Sequence, residues 1–432
     1  VDYITARQAL EKLPSLEVKP GLERVKRLLS HLGNPQRAFP AIHVTGTNGK
    51  GSVVAMLSSV LERAGYKVGR YTSPELIDFR DRISVNGQWI SKQQFAQQVN
   101  RILPLLQDTH DLPTLFEALT AIAFSHFAAQ KVDIAVVEVG LGGRYDATNV
   151  VNPILTILTT VAMDHTALLG NSLEKIAWEK AGIAKQGVPL LTGKLASQAE
   201  KVVHQECLKV NAVLIDRLDF GLERLSHDLE YASYQVGSTS LPRLVKIPLI
   251  ASYQKGNLHL ALAAILELRK KGISIDNDAV VCGLASTTWP GRFEVINRQP
   301  LIIIDGAHNP SAAEAIARQI QEIFPDKEKR HLLFGVLADK DYRAMSNLLF
   351  GLFSHVTLTQ SNNPRALKAQ ELSKIAQELG VSYVETDSVI DGLTAALNAQ
   401  KKQDALLITG SLTIVREARP ALLSGMAIKS CS

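Results

Sequence analysis

The chain has 432 residues, 46% of them hydrophobic and 21% charged, with 47 Lys+Arg against 42 Asp+Glu for a formal net charge of +5. That length exceeds one ordinary core and implies at least two domains, and the composition excludes a disordered or fibrous chain. The small basic excess is not the clustered stripe that nucleic acid requires, and no run reaches the ~20 apolar residues of a membrane span, so neither partner is expected.

The three cysteines, Cys207, Cys282 and Cys431, are far apart and odd in number. They support neither a disulfide framework nor a zinc site and suit a reducing cytoplasm. The first residues, VDYITARQALEKL, carry charges throughout and lack the apolar core of a leader. A cytoplasmic location is therefore expected.

In chain order, AIHVT (41–45) predicts a short strand feeding a glycine-rich turn. A helix from Gly51 to Ala64 and a strand over KVGRYT (67–72) follow, then a loop from Ser73 to about Gln88. SKQQ (91–94) and TLFE (114–117) fit the capping box, and the second opens a long apolar helix. DIAVVEV (133–139) and ILTILTTV (154–161) are near-continuous apolar runs, as in strands buried on both faces of a parallel sheet. A helix over 172–185, a strand over VPLLT (188–192), a small β-rich excursion within 211–250 and a helix over 256–271 come next. TTWPGR (287–292) reads as a domain junction. Beyond it LIIID, HLLFGV, HVTLT, VSYV and ALLITG are strands alternating with helices. The reading is α/β throughout. An N-terminal P-loop-type doubly wound domain, residues 1–291, is followed by a smaller Rossmann-like α/β domain, residues 292–432.

The sharpest motif is HVTGTNGKGS, His43 to Ser52. Glycines let backbone N–H groups approach phosphate oxygens, the helix N-terminus adds a favourable dipole, and Lys50 supplies a point charge for the outer phosphates. The bland reading is a glycine turn with a solvated lysine. Strand, turn, lysine and helix in that order weigh against it. The motif departs from the general P-loop, because Gly51 stands where the magnesium-binding Ser or Thr should be, and Ser52 is displaced by one. A metal ligand must come from elsewhere. EVGLGGRYDATN (138–149) puts Glu138 at the end of a buried apolar run, where P-loop proteins place a metal-binding carboxylate. Its GLGG is not a dinucleotide fingerprint, since Tyr145 replaces the third glycine.

TGTNGKGS resembles the nucleotide loop of the Mur ligase superfamily, in the form of its folylpolyglutamate synthase and dihydrofolate synthase branch. Members phosphorylate a carboxylic acid with ATP and let an amine displace phosphate from the acyl phosphate. The resemblance runs from about Pro20 to Pro420. It implies nucleotide contacts from Thr47, Asn48, Gly49, Lys50, Gly51 and Ser52, and from Asn257, Arg292 and Asp305. Glu138 and His165 match magnesium ligands, and two magnesium sites are implied. His165 stands in MDHTALLGNSLEKIAWEKAGIAK (163–185), which follows the family's pattern over more than twenty positions. In YTSPELIDFRDRISVNG (71–87), Ser73 matches a hydroxyl ligand for magnesium and Arg82 a substrate contact, while Glu75 and Asp81 replace the family's His and Glu. Lys180 matches a lysine that the family carbamoylates, chemistry open to a lysine of lowered pKa.

LPTLFEALTAIAF (112–124) resembles the pterin-side helix, with Phe116 and Thr120 as contacts. YQKGNLHLALAA (253–264) carries Gln254 and Asn257 of the family pattern, but Tyr253 stands where the family has His. In LIIIDGAHNP (301–310) His308 matches the place where the incoming glutamate binds, and in LLITGSLTIV (406–415) Ser411 matches a glutamate contact. Lys50, Lys180 and His308 are thus the implied catalytic residues. The expected partners are ATP as co-substrate, L-glutamate, and dihydropteroate or a reduced folate, acting on a monomer. A bifunctional dihydrofolate synthase/folylpolyglutamate synthase is the leading reading, and a folylpolyglutamate synthase alone is the narrower one. A cell-wall Mur ligase would need a preceding nucleotide domain for which the roughly forty residues before Thr45 are too few. A P-loop switch does not account for the Lys180 block, and a Rossmann dehydrogenase lacks its fingerprint.

Overall fold

The computed structural model describes residues 1–14, 21–106, 111–216 and 220–425, and Cys431 lies outside them. The chain divides into two compact units. The first holds Val1–Leu225, Ser233–Ile247 and Gln254–Thr287, and the second holds Ser226–Ala232, Pro248–Tyr253 and Thr288–Ser432.

The main sheet of the first unit comprises β1 (Ala41–Thr45), β2 (Val68–Tyr71), β3 (Ile83–Val85), β4 (Gln88–Trp89), β5 (Ile134–Glu138), β6 (Pro153–Leu158), β7 (Pro189–Thr192) and β8 (Val213–Ile215). They lie in the order β4-β3-β2-β5-β1-β6-β7-β8. Neighbours from β2 through β8 run parallel, and β3 and β4 pair antiparallel at one edge. β1 and β5 are buried at every position, which is why their sequences do not alternate. The helices of this unit are α1 (Tyr3–Glu11), α2 (Glu23–His31), α3 (Lys50–Arg63), α4 (Lys92–Ile102), α5 (Leu115–Gln130), α6 (Thr166–Leu169), α7 (Leu173–Ala181), α8 (Ser197–Val210), α9 (Gln254–Lys270) and α10 (Asn277–Ala285). Ser91 with Gln94 and Thr114 with Glu117 close reciprocal capping boxes at α4 and α5, as their spacing implies. β9 (Leu222–His227), β10 (Ala232–Val236) and β11 (Leu244–Ile247) form a separate sheet in the order β11-β10-β9, the β-rich excursion.

The segment Ser73 to Gln88 is not the plain loop expected. Phe79–Arg82 form a 3-10 turn, and β3 and β4 form a hairpin. Asn86 and Gly87 both have positive φ, 48° and 72°, the backbone that a tight two-residue hairpin turn demands. The strands are too short to give a period-2 signal. Helices α1, α2 and α8 also lie outside the sequence reading. α8 buries only Ala199, Val203, Glu206 and Cys207, a narrow stripe in a polar segment.

In the second unit β12 (Glu294–Arg298), β13 (Leu301–Ile304), β14 (Arg330–Phe334), β15 (His355–Leu358), β16 (Tyr383–Glu385) and β17 (Ala405–Thr409) lie in the order β12-β13-β17-β14-β15-β16. All neighbours are parallel except β12, an antiparallel edge strand that the sequence reading does not include. Its helices are α11 (Pro310–Ile323), α12 (Tyr342–Leu349), α13 (Ala369–Glu378), α14 (Val389–Ala399) and α15 (Leu412–Leu423). Ile303, Leu332, Phe334 and Leu407 of the strands pack with Ile316, Phe350 and Leu372 in its core. No helix among the described residues is long and apolar enough to cross a membrane.

Candidate active site

Open parallel sheets bind ligands beyond the carboxyl ends of their strands. β5, β1 and β6 are neighbours, with Val44 opposite both Glu138 and Ile157. That register carries the loop after Thr45, the end of β5 at Glu138 and the segment Thr159–His165 to one edge of the sheet.

The loop from Gly46 to Gly49 is clamped by the end of β6. Thr47 N–H donates to Thr160 O at 2.8 Å, Asn48 N–H donates to Thr160 Oγ1 at 3.0 Å, and Thr159 Oγ1 donates to Asn48 O at 2.6 Å. Gly46 and Gly49 have φ of 151° and 87°. A Cβ on Gly46 would stand 1.8 Å from Thr159 Oγ1, and one on Gly49 2.2 Å from Asn257 Oδ1. Both positions are therefore closed to any other residue. Asn257 on α9 donates to Gln254 Oε1 at 2.8 Å, and Gln254 donates to Ser52 Oγ at 3.2 Å. Asn257 thus fills the space that a side chain at Gly49 would need, and Gln254 links it to Ser52. Lys50, the first residue of α3, folds back so that Nζ donates to Gly46 O at 3.0 Å and Thr47 O at 3.3 Å.

Glu138 is buried at the end of β5 and accepts the Ser73 N–H at 3.2 Å on Oε2, so two of the expected metal ligands are adjacent. His165 caps the start of α6 with φ of 48°, and its Nε2 is 3.8 Å from Asp164 Oδ1. Among the described residues no group of three or more His, Cys, Asp or Glu is placed to hold a metal ion. The expected set contains only two such side chains plus a hydroxyl.

Lys180 lies on α7 and is 3% exposed. Burial, and after it the charge of Lys50, bring its pKa down to about 7, against the pull of Asp164, Asp146 and Glu179. Between Glu138 and α7 runs the Gly140–Asn149 loop, ordered by buried Asp146, which accepts Leu141 N–H at 2.9 Å and Thr148 N–H at 3.0 Å.

A third group lies on the same unit. Tyr71 stacks on Phe116 with ring centroids 6.0 Å apart and lies 3.2 Å, hydroxyl to hydroxyl, from Thr120. Thr120 is fully buried and its hydroxyl also donates to Phe116 O at 2.8 Å. Its surroundings are core, whereas Phe116 is only partly buried. Arg82 forms an ion pair with Glu75, Nε at 2.6 Å and Nη2 closer still. The carboxylate that departs from the family pattern thus neutralises the arginine that keeps it. A Cβ on Gly140 would stand 2.5 Å from Phe116 Cζ. Gly140→Ala is expected to destabilise the protein by ~1–3 kcal/mol through overpacking. Chemical denaturation checks this, and an unchanged midpoint would mean that the Phe116 ring swings clear.

In the second unit Asp305 follows β13 and is buried. Its carboxylate accepts Phe293 N–H at 2.7 Å, Ala307 N–H at 2.7 Å and the Tyr253 hydroxyl at 2.8 Å. Burial pushes this carboxyl up, opposed first by Arg292. His308 Nδ1 is 2.8 Å from Gly306 O, so Nδ1 carries the proton. Asn309 caps α11, with Pro310 as its first residue. Ser411 is 1% exposed and caps α15, its Oγ accepting Thr413 N–H at 2.9 Å.

Sequence reasoning missed Tyr71, Asp146, Thr159, Thr160 and Asp164. Thr159 and Thr160 had a signal, two adjacent hydroxyl residues near the end of a mostly apolar run, and Asp146 stands in EVGLGGRYDATN with Thr148 two residues on.

Residues 44–265 match the Mur ligase middle domain, and residues 291–412 match the Mur ligase glutamate ligase domain. The chain is 36% identical to the dihydrofolate synthase/folylpolyglutamate synthase of Bacillus subtilis, over 97% of this chain and 99% of that protein. It is 34% identical to the folylpolyglutamate synthase of Lacticaseibacillus casei, over 98% and 100%. The structure of Escherichia coli FolC in complex with DHPP and ADP superposes with a TM-score of 0.87 at 30% identity, covering 99% of each chain.

Proposed function

This chain belongs to the dihydrofolate synthase/folylpolyglutamate synthase family of Mur ligases, and we propose that it adds L-glutamate both to dihydropteroate and to the glutamyl tail of reduced folates. It is an ATP-dependent acid–amino-acid ligase. A substrate carboxylate oxygen attacks the γ-phosphorus of ATP and ADP leaves. The glutamate amine then attacks the acyl carbon, losing a proton as inorganic phosphate departs. The observation that carries the reading is one sheet edge holding the clamped Lys50 loop and Glu138, which accepts the Ser73 N–H, with Lys180 buried on α7.

In this proposal residues 1–291 hold the phosphates and the folate acid. Lys50 and the turn Thr47–Ser52 hold the outer phosphates, and Asn257 touches the nucleotide. Phe116 and Arg82 face the folate side, and Thr120 acts from behind by fixing the Tyr71 ring. Residues 292–432 supply Arg292 and Asp305 to the nucleotide, and His308 and Ser411 to glutamate. Magnesium fits the donors Ser73, Glu138 and His165, with two ions expected once the phosphates are present. Bound there, it would neutralise charge on the phosphate oxygens. We further propose a cytoplasmic monomer that acts on small molecules alone.

ATP-dependent product formation with dihydropteroate and with tetrahydrofolate, each with glutamate, tests the assignment. Both products are expected. Product from tetrahydrofolate alone would reduce the protein to a folylpolyglutamate synthase. Glu138→Gln is expected to raise the magnesium concentration for half-maximal rate by about tenfold or more, with the KM for the folate acid nearly unchanged. An unaltered magnesium requirement would remove Glu138 as a ligand.

A further inference from the structure

We propose that Tyr253 is the positioning residue that keeps Asp305 ionised and oriented for the nucleotide, an inference that rests on the nucleotide role given to Asp305 above. Asp305 ends a buried strand, and a carboxylate taken from water needs compensating donors. Oδ1 is satisfied by its own loop, through Ala307 N–H at 2.7 Å. Oδ2 takes Phe293 N–H at 2.7 Å and the Tyr253 hydroxyl at 2.8 Å. The groups that face Asp305 come from every side of it. Arg292 is the nearby cation, Tyr253 the nearby phenol, Phe293 and Ala307 contribute backbone N–H groups, and α15 presents the apolar Leu412 side chain to Gly306. Arg292 is itself assigned to ATP phosphates, so its charge is shared with the ligand. The Tyr253 hydroxyl is the side-chain donor left to hold the carboxylate.

The chemistry of that donor matters. The resembled family carries His at this position, and an imidazole changes its charge near neutral pH. Burial beside Asp305 keeps the Tyr253 hydroxyl protonated far above the usual phenol range. It therefore donates at every working pH. Its loss raises the proton affinity of Asp305, because a hydrogen bond to the charged form is removed.

ADP affinity of the purified full chain, measured by titration calorimetry across the acid to alkaline range, tests this. In Tyr253→Phe the ring stays and only the hydroxyl goes. The acid limb of ADP binding is expected to move up by about one pH unit, with affinity at alkaline pH little changed. Asp305→Asn is expected to weaken ADP binding at every pH and, in the double variant, to make the Tyr253→Phe change independent of pH. If Asp305→Asn weakens ADP binding but Tyr253→Phe lowers affinity equally at all pH values, or not at all, the positioning role of Tyr253 is overturned and the role of Asp305 stands. If Asp305→Asn binds ADP like the parent, both are overturned.

Discussion

Lys50→Ala is expected to lower ligation by about a thousandfold or more while leaving the fold intact. Preorganised charges at a reacting phosphoryl group are worth several kcal/mol in the transition state. Lys50 begins α3, and its ammonium already lies over the loop at 3.0 Å from Gly46 O. Lys50 Nζ bonds two carbonyls of the loop, but Thr159 and Thr160 clamp the loop independently of it. Alanine is a good helix former, so the start of α3 survives the change. Thermal unfolding should therefore match the parent while turnover collapses. Lys50 is also a cause of the lowered Lys180 pKa, so its removal acts on Lys180 as well. Arginine is not expected to rescue the activity, since its planar fork does not replace a compact ammonium. Near-normal turnover in Lys50→Ala would remove the loop from the mechanism.

The second large effect concerns Lys180. A carbamate forms when a neutral amine adds carbon dioxide and loses a proton. With its pKa at about 7, about half of the Lys180 population is neutral at pH 7, against roughly one in a few thousand for a free lysine. As pH falls through about 7 the amine protonates, and activity at limiting bicarbonate should fall with it. Lys180→Ala is expected to cut ligation by roughly a hundredfold, as the loss of a group that orders a metal site does. ADP binding should largely survive, because Lys50 and the backbone turn remain. A short carboxylic acid filling the vacated space should restore part of the rate. Full activity of the parent in carbonate-free buffer, with an unmodified Lys180 by mass, would contradict the carbamate.

The parts of this molecule that were legible in its sequence are those where one interaction dominates. β1, β5 and β6 are buried on both faces, so their apolar runs identified them and placed the phosphate loop and Glu138 at one edge. The capping boxes at Ser91 and Thr114 are local, and spacing alone revealed them. The hairpin β3–β4 was passed over, because three- and two-residue strands carry no period, although the Asn86-Gly87 pair between them is a turn signal. Within the site, Lys50 and Glu138 announced themselves by position. The clamp by Thr159 and Thr160 did not, since it spans 111 and 112 residues of chain. Lys180 on an amphipathic helix gave no sign of burial by itself. Tyr253 registered only as a departure, and its bond to Asp305 closes over 52 residues.

Isotope transfer tests the central claim most directly. Dihydropteroate labelled with 18O in its carboxylate would be incubated with the protein, ATP, magnesium and unlabelled glutamate. The account predicts one 18O atom in each inorganic phosphate released, with ADP and the glutamyl amide formed in equal amounts. Unlabelled phosphate accompanying amide formation, or AMP in place of ADP, would contradict the acyl-phosphate route.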